Sequence, residues 1–357
     1  MKPFIVMDIL KKARKLEGVV HLEIGEPDLP PSKNVKNALL KAVNEEKFYY
    51  TEAKGLEILR EKIANHYKIF YDVNIKPDNI IITTGTSTAF LIAFYFAKKI
   101  ATPTPGYPCY ENFAELEKKE FIKIKTEFPD YKLSLKSLKG DFDTLMISSP
   151  NNPTGSVYNE KELKEICEFC EKNEILLISD ELYHGLVYTD DYTTALKYNK
   201  NAIVINGFSK FFCMPGLRIG WMIVPDNLVR EAEIIAQNIL ISAPTLSQYA
   251  ALEAFDYEYL SNVRKEFQKR RDFLYNELKD IFPIAKPEGA FYLWCDISKY
   301  SNDSLKFAND LLEKAKVAVT PGVDFGEFKD FIRISYTKNI DELKTGARRI
   351  KNFIKNI

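Results

Sequence analysis

Apolar residues gather along this chain into two kinds of cluster, and the two kinds alternate. NIIITTG (79–85), DTLMISSP (143–150), EILLISD (174–180), AIVING (202–207) and RIGWMIV (218–224) are short, nearly continuous apolar runs punctuated by Gly, Pro or Asp. Strands buried on both faces have this pattern. Between such runs, STAFLIAFYFAKK (87–99) and NEKELKEICEFCEKN (159–173) read as helices. Alternation of this kind predicts an α/β fold, with a mostly parallel, mixed sheet carrying helices on both faces. Farther on, EYLSNVRKEFQKRRDFLYNELKD (258–280) reads as one long amphipathic helix, after which AFYLWCDI (290–297) and DFIRISY (330–336) begin a pattern of shorter elements. At 357 residues the chain exceeds one ordinary core. The expected division is a large domain over 33–270 and a smaller α+β domain made from 1–32 and 271–357.

Charge narrows the choice of partners. Lys and Arg number 50, as do Asp and Glu, so there is no basic excess to hold nucleic acid or an anionic membrane. MKPFIVMDILKKARKLEG at the start interleaves charges with an apolar helical period, unlike the unbroken apolar stretch of a secretion signal. No run approaches the ~18 apolar residues of a membrane span. Five cysteines, an odd number, fit reduced thiols and a cytoplasmic protein. Cys167 and Cys170 form a lone CxxC on a predicted helix, while His21, His66 and His184 are scattered. Without a second ligand pair no metal is expected there.

Open sheets of this class bind ligands at the C-terminal ends of their strands. Thr86 and Ser87, Asn152, Asp180, Ser209 and Lys210 all fall there. Lys210 sits in GFSKFFCMPGLRIGW (207–221) among apolar and small residues, an environment that lowers an amine's pKa and frees it to attack an aldehyde. Arg218 is one of only ten arginines against forty lysines and lies between glycine-containing segments; its planar fork suits a phosphate. Asp180 ends an apolar strand and can serve as a buried carboxylate for a ring N–H⁺, or as a helix cap. Tyr183 follows three residues later and can point its phenol into the same cleft. Asn152 in SPNNPTG precedes Pro153, which favours an extended backbone and aims the amide in one direction. TTGTSTAF (83–90) joins a strand to a helix through Gly and hydroxyl residues, an anion site without the Gly-Lys ending of a Walker A loop.

Together with IGEPDLP (24–30), YYTEAKGLEILREKIA (49–64), TPGYPCY (104–110), EGAFYLW (288–294) and TPGVDFG (320–326), these motifs resemble the fold-type I pyridoxal-phosphate aminotransferases, the aspartate aminotransferase-like class I/II group, in the same order and over almost the whole chain. The resemblance implies pyridoxal 5′-phosphate as cofactor, bound by the large domain, with Lys210 as the Schiff-base lysine and Asp180 on the pyridine nitrogen. It gives Tyr183 and Asn152 to the 3′-oxygen, Tyr107 to the ring face, and Thr86, Ser87, Ser209 and Arg218 to the phosphate. Tyr50 would reach that phosphate from the partner subunit of a homodimer. Arg333 would hold the substrate α-carboxylate, helped by the backbone at Gly25 and by Asn152.

The reaction so implied is ping-pong transfer of an amino group between an L-amino acid (aspartate, glutamate or aromatic) and a 2-oxo acid such as 2-oxoglutarate. Two alternatives stand beside it: another reaction of the same cofactor (β-lyase, decarboxylase or synthase), and a regulatory protein built on the same scaffold. Four departures from the family pattern are expected, the first a trimmed N-terminal arm where relatives often carry one that crosses the dimer. AKKIATPTPGYP is abbreviated where relatives carry a further strand, the connection before DTLMISSP is short, and Gly207 replaces a phosphate-binding Ser.

Overall fold

The computed structural model describes Met1 and residues 3–357. Helix α1 (Ile5–Ala13) leads to strand β1 (Val20–His21), and helices α2 (Lys33–Asn44) and α3 (Glu57–Tyr71) precede the main sheet. There follow β2 (Ile80–Thr83), α4 (Gly85–Tyr95), β3 (Lys99–Thr104), α5 (Cys109–Leu116), β4 (Glu120–Lys125), β5 (Thr144–Ser148), α6 (Glu160–Lys172), β6 (Leu176–Asp180), β7 (Ile203–Gly207) and β8 (Gly220–Ile223). Helices α7 (Val229–Leu240), α8 (Thr245–Ala251) and α9 (Tyr257–Leu278) connect these to β9 (Tyr292–Asp296), α10 (Ser304–Ala315), β10 (Val317–Ala318), β11 (Thr320–Pro321), β12 (Phe331–Ser335) and α11 (Ile340–Lys355).

Seven strands pair in the order β2-β8-β7-β6-β5-β3-β4. Only β8 runs antiparallel to its neighbours, so the sheet is mixed and mostly parallel, as the alternation predicts. Its strands are apolar on successive residues because each face has its own cover. Leu145 and Ile147 of β5, with Leu177 of β6 and Val204 of β7, enter one core; Met146, Ile178, Ile203 and Ile205 enter the other with Phe90 and Ala93 of α4. Burying each such side chain contributes roughly 1.5–3 kcal/mol, which is what holds the strand ends in register. Helix α6 starts in a capping box between Asn159 and Glu162 and turns Cys167 and Cys170 into the core.

One sequence expectation is overturned. The strand thought missing from AKKIATPTPGYP is present as β3, and the helix ends at Tyr95, before the 99 expected. Pro103 disguised it. The ladder from β3 to β5 covers only Ile100 and Ala101, so Pro103, which has no amide to donate, falls beyond it.

A second sheet, β11-β12-β9, is antiparallel, and β1 pairs with β10 beside it. Ile5 and Val6 amides at the start of α1 donate to the two oxygens of Asp324, at 2.9 and 3.2 Å. No helix among the described residues is long and apolar enough to cross a membrane.

Candidate active site

Strands β2, β5, β6 and β7 point the same way, so their C-terminal ends share one edge of the sheet. There a cavity of about 320 Å³ opens. It is lined by Thr86 and Ser87 after β2, Asn152 after β5, Asp180 and Tyr183 at the end of β6, and Ser209 and Lys210 after β7. Tyr107, Arg218, Gly25 and Arg333 complete the set. Every residue singled out from the sequence lines it except Tyr50, which is 78% exposed on another surface.

Asp180 is only 5% exposed. The Tyr110 hydroxyl donates to its Oδ2, and the Leu182 amide to Oδ1 at 3.0 Å. Burial pushes its pKa up to about 6, against the pull of Tyr110, the Leu182 amide and Lys210. Lys210 donates to the Gly25 carbonyl at 2.8 Å. Burial lowers its pKa to about 8, with Arg333 adding to the effect, as expected of an amine kept partly free for chemistry. Gly25 has no room for a side chain: a Cβ there would meet the Tyr292 hydroxyl at 1.8 Å. Tyr292 in turn shares a 2.7 Å hydrogen bond with the Tyr183 hydroxyl.

Arg218 adopts a left-handed backbone, φ +49°, and anchors Nη1 on the Pro215 carbonyl at 3.0 Å. Its other terminal nitrogen lies under Gly85, where a Cβ would stand 2.7 Å away; Gly85 itself has φ +68°. Only glycine meets both conditions, and it lets the guanidinium approach the start of α4. The N-cap of α4, Thr84, makes no side-chain cap bond, so the first-turn amides, the Thr86 and Ser87 hydroxyls and Arg218 converge as an anion cradle. A Cβ at Gly207 would stand 3.2 Å from Thr86 Cγ2 and 3.3 Å from the Gly220 Cα, a tight fit for any side chain at that position.

Arg333 leaves β12 with its guanidinium buried. Nη1 donates to Asn152 Oδ1 at 2.9 Å, and Nη2 to the Glu23 carbonyl at 2.7 Å and Thr320 Oγ1 at 3.2 Å. The Tyr292 and Phe325 rings lie 4.2 and 5.0 Å from its carbon. Buried Nε has no protein partner. Sequence reasoning missed Tyr110, Tyr292, Asp324 and the lining residues Phe4, Val6 and Met7 of the N-terminal segment. Tyr110 was within reach, lying three residues past Tyr107 at the start of α5, its amide on the Tyr107 carbonyl at 3.2 Å.

A buried lysine, a buried carboxylate and an arginine fork stand around an anion cradle in one cavity, a set of groups able to hold an anion and to move protons. The chain belongs to the class I and II aminotransferases, whose sequence profile matches residues 17–350. It is 40% identical to the (5-formylfuran-3-yl)methyl phosphate transaminase of Methanocaldococcus jannaschii, over 98% of this chain and 96% of that protein. It is 34% identical to the valine–pyruvate aminotransferase of Mycobacterium tuberculosis, over 99% and 96%. The crystal structure of an aminotransferase from Mycobacterium tuberculosis superposes with a TM-score of 0.96 at 33% identity, covering 100% of this chain and 98% of that one. This family uses pyridoxal 5′-phosphate. The residues present fit that group: the cradle beneath Gly85 suits a phosphate, and Asp180 and Lys210 offer the carboxylate and amine that its ring nitrogen and aldehyde require.

Proposed function

We propose that this aminotransferase binds pyridoxal 5′-phosphate in the cavity below the sheet edge and moves amino groups between an L-amino acid and a 2-oxo acid. Thr86, Ser87, Ser209 and Arg218 would take the phosphate, with Tyr50 joining them from a second copy of the chain in a homodimer. Asp180 would pair with the ring nitrogen, Asn152 and Tyr183 with the ring oxygen, and Tyr107 would cover one face. The bound cofactor supplies an electron-accepting ring that takes up charge when a proton leaves the substrate. Arg333 grips the substrate α-carboxylate through its fork, which the Asn152 and Glu23 contacts hold in one orientation. Lys210 Nζ, tethered to the Gly25 carbonyl, would hold the cofactor by its aldehyde and is the amine placed to act as base once substrate is bound. It then takes the proton from the substrate's α-carbon.

The convergence of Lys210, Asp180 and Arg333 on one cavity carries this reading. A large unit over 33–270 and a smaller one from 1–32 and 271–357 would form its two walls, a division supported by the pairing of β1 with β10, although residue 270 lies within the continuous helix α9. With charges balanced and no membrane-crossing helix among the described residues, we place the enzyme in the cytoplasm. Aspartate, glutamate or aromatic donors with 2-oxoglutarate are the candidates from the sequence. The relatives' names point to different substrates, so likeness does not choose among them.

Borohydride treatment of the cofactor-loaded protein should add the reduced cofactor's mass to the peptide bearing Lys210, and Lys210→Ala should abolish the adduct and lower the rate at least ~10²-fold. Release of ammonia in place of transfer to a 2-oxo acid would point to a lyase instead. A colourless protein with no adduct would end the proposal.

A further inference from the structure

The cavity has a wall that no role above uses. It is made by the N-terminal segment: Phe4, Val6 and Met7 face the cavity beside Phe325. Phe4 is the N-cap residue of α1, and its side chain satisfies none of the first-turn amides. Asp324 does so from across the fold, its two carboxylate oxygens accepting from Ile5 and Val6. The contact fixes α1 over the site, and the Phe4 ring comes to 6.3 Å from Tyr107, inclined at 33°. Phe325, next to Asp324, lies against the Arg333 guanidinium. The space between the proposed carboxylate fork and the Tyr107 ring is therefore closed by apolar side chains.

The charges of the cavity sharpen the point. Among the described residues its cationic lining is Lys210, Arg218 and Arg333, and its anionic lining is Asp180 and Asp324. Each cation is already engaged: Lys210 on the Gly25 carbonyl, Arg218 beneath Gly85, Arg333 on Asn152, Glu23 and Thr320. A distal carboxylate on the substrate would meet Phe4, Val6, Met7, Phe325 and the Asp324 carboxylate. Placing a carboxylate there without a counter-charge is costly, whereas a flat apolar group gains the burial of its surface.

We propose that the Phe4–Val6–Met7 wall selects amino acids and 2-oxo acids with uncharged, apolar or aromatic side chains over dicarboxylic ones, 2-oxoglutarate included, and that Asp324 is the positioning residue that holds this wall in place. The proposal rests on Arg333 taking the α-carboxylate, as above. It separates the substrate classes that the sequence left together, aspartate and glutamate on one side and aromatic amino acids on the other.

Ligands without an amino group test it by binding alone. Full-length protein loaded with pyridoxal 5′-phosphate is titrated calorimetrically with 3-phenylpropanoate and with succinate. The first should bind at least about tenfold more tightly. Phe4→Ala should weaken 3-phenylpropanoate about tenfold while leaving succinate within about twofold, and Phe4→Leu should recover much of the loss. Met7 is largely exposed, so Met7→Arg leaves the core intact and should raise succinate affinity about tenfold by supplying the absent cation. Succinate binding as tightly as 3-phenylpropanoate to the unaltered protein would overturn the proposal, since a cation from elsewhere would then reach the site. Equal weakening of both ligands by Phe4→Ala would also overturn it, marking a general loosening and no selection. A yellow protein that prefers succinate sinks the wall and leaves the cofactor reading standing; a colourless one that prefers 3-phenylpropanoate does the reverse.

Discussion

Asp180 carries two opposed demands on one side chain. Burial pushes its pKa up to about 6, yet its proposed work requires the ionised form beside a ring N–H⁺. The cationic partner resolves the conflict, because a positive charge in contact favours the carboxylate. Without cofactor the raised pKa makes a testable mark. An acid whose folded pKa lies above its unfolded value stabilises the fold below the unfolded pKa and loses that contribution as pH rises through the folded one, here between about pH 4 and 6. Cofactor-free Asp180→Asn should therefore be more stable than the unaltered protein at pH 7.5 by on the order of 1–2 kcal/mol, with the gap closing at pH 4.5. Loaded with cofactor, the same variant should lose at least ~10²-fold in rate. Denaturant melts of the cofactor-free proteins at the two pH values check the first, and rate assays of the loaded proteins the second; a gap that widens toward acid would reverse the assignment. Lys210, Asp180 and Arg218 could be read from the chain because each stands where its charge is out of place, in an apolar run or between glycines. Tyr110 and Tyr292 could not. Two tyrosines among twenty carry no mark until the fold brings one hydroxyl to Asp180 and the other to Tyr183.

At the scale of elements, the strands that position the site were the most legible part of the chain. Burial on both faces forces successive apolar residues, and β5, β6 and β7 have that signature without interruption. β3 was hidden because its ladder to β5 stops before Pro103, a fact of pairing and not of composition. The cap on α1 was hidden for a related reason: Asp324 lies 319 residues from Ile5, and no local pattern reports such a contact. That cap makes its own prediction. Asp324→Ala would strip the first turn of α1 of its acceptor, at a cost of roughly 1 kcal/mol in stability. Hydrogen exchange should speed up in Ile5–Ala13 while the amides of β5 and β6 stay protected, since those strands are paired on both sides within the seven-stranded sheet. Uniform loss of protection across the chain would show that Asp324 supports the whole fold and not the helix.

At the scale of the molecule, the cavity lacks one expected contributor. Tyr50 lines no part of it and stands in the open beside Phe48 and Tyr49, which are 60% and 82% exposed. Three consecutive aromatic residues facing water are costly on a lone subunit, and such a patch marks a surface that is covered in the working assembly. The segment is held to the body by Thr245, whose hydroxyl donates to the Tyr49 carbonyl at 2.7 Å, so it is presented on a fixed base. If a second copy covers it, Tyr50 passes to the neighbour's phosphate cradle and each site needs both chains. Sedimentation should then give twice the 41.1 kDa of one chain. Tyr50→Phe should leave that mass unchanged and weaken cofactor retention about tenfold, the worth of one hydrogen bond to a charged group. Phe48→Asp should split the pair and impose the same loss of retention through Tyr50, although residue 48 belongs to neither cradle. Full activity and tight cofactor binding in a particle of single-chain mass would show that the site is complete within one subunit, and the aromatic patch would then need another occupant.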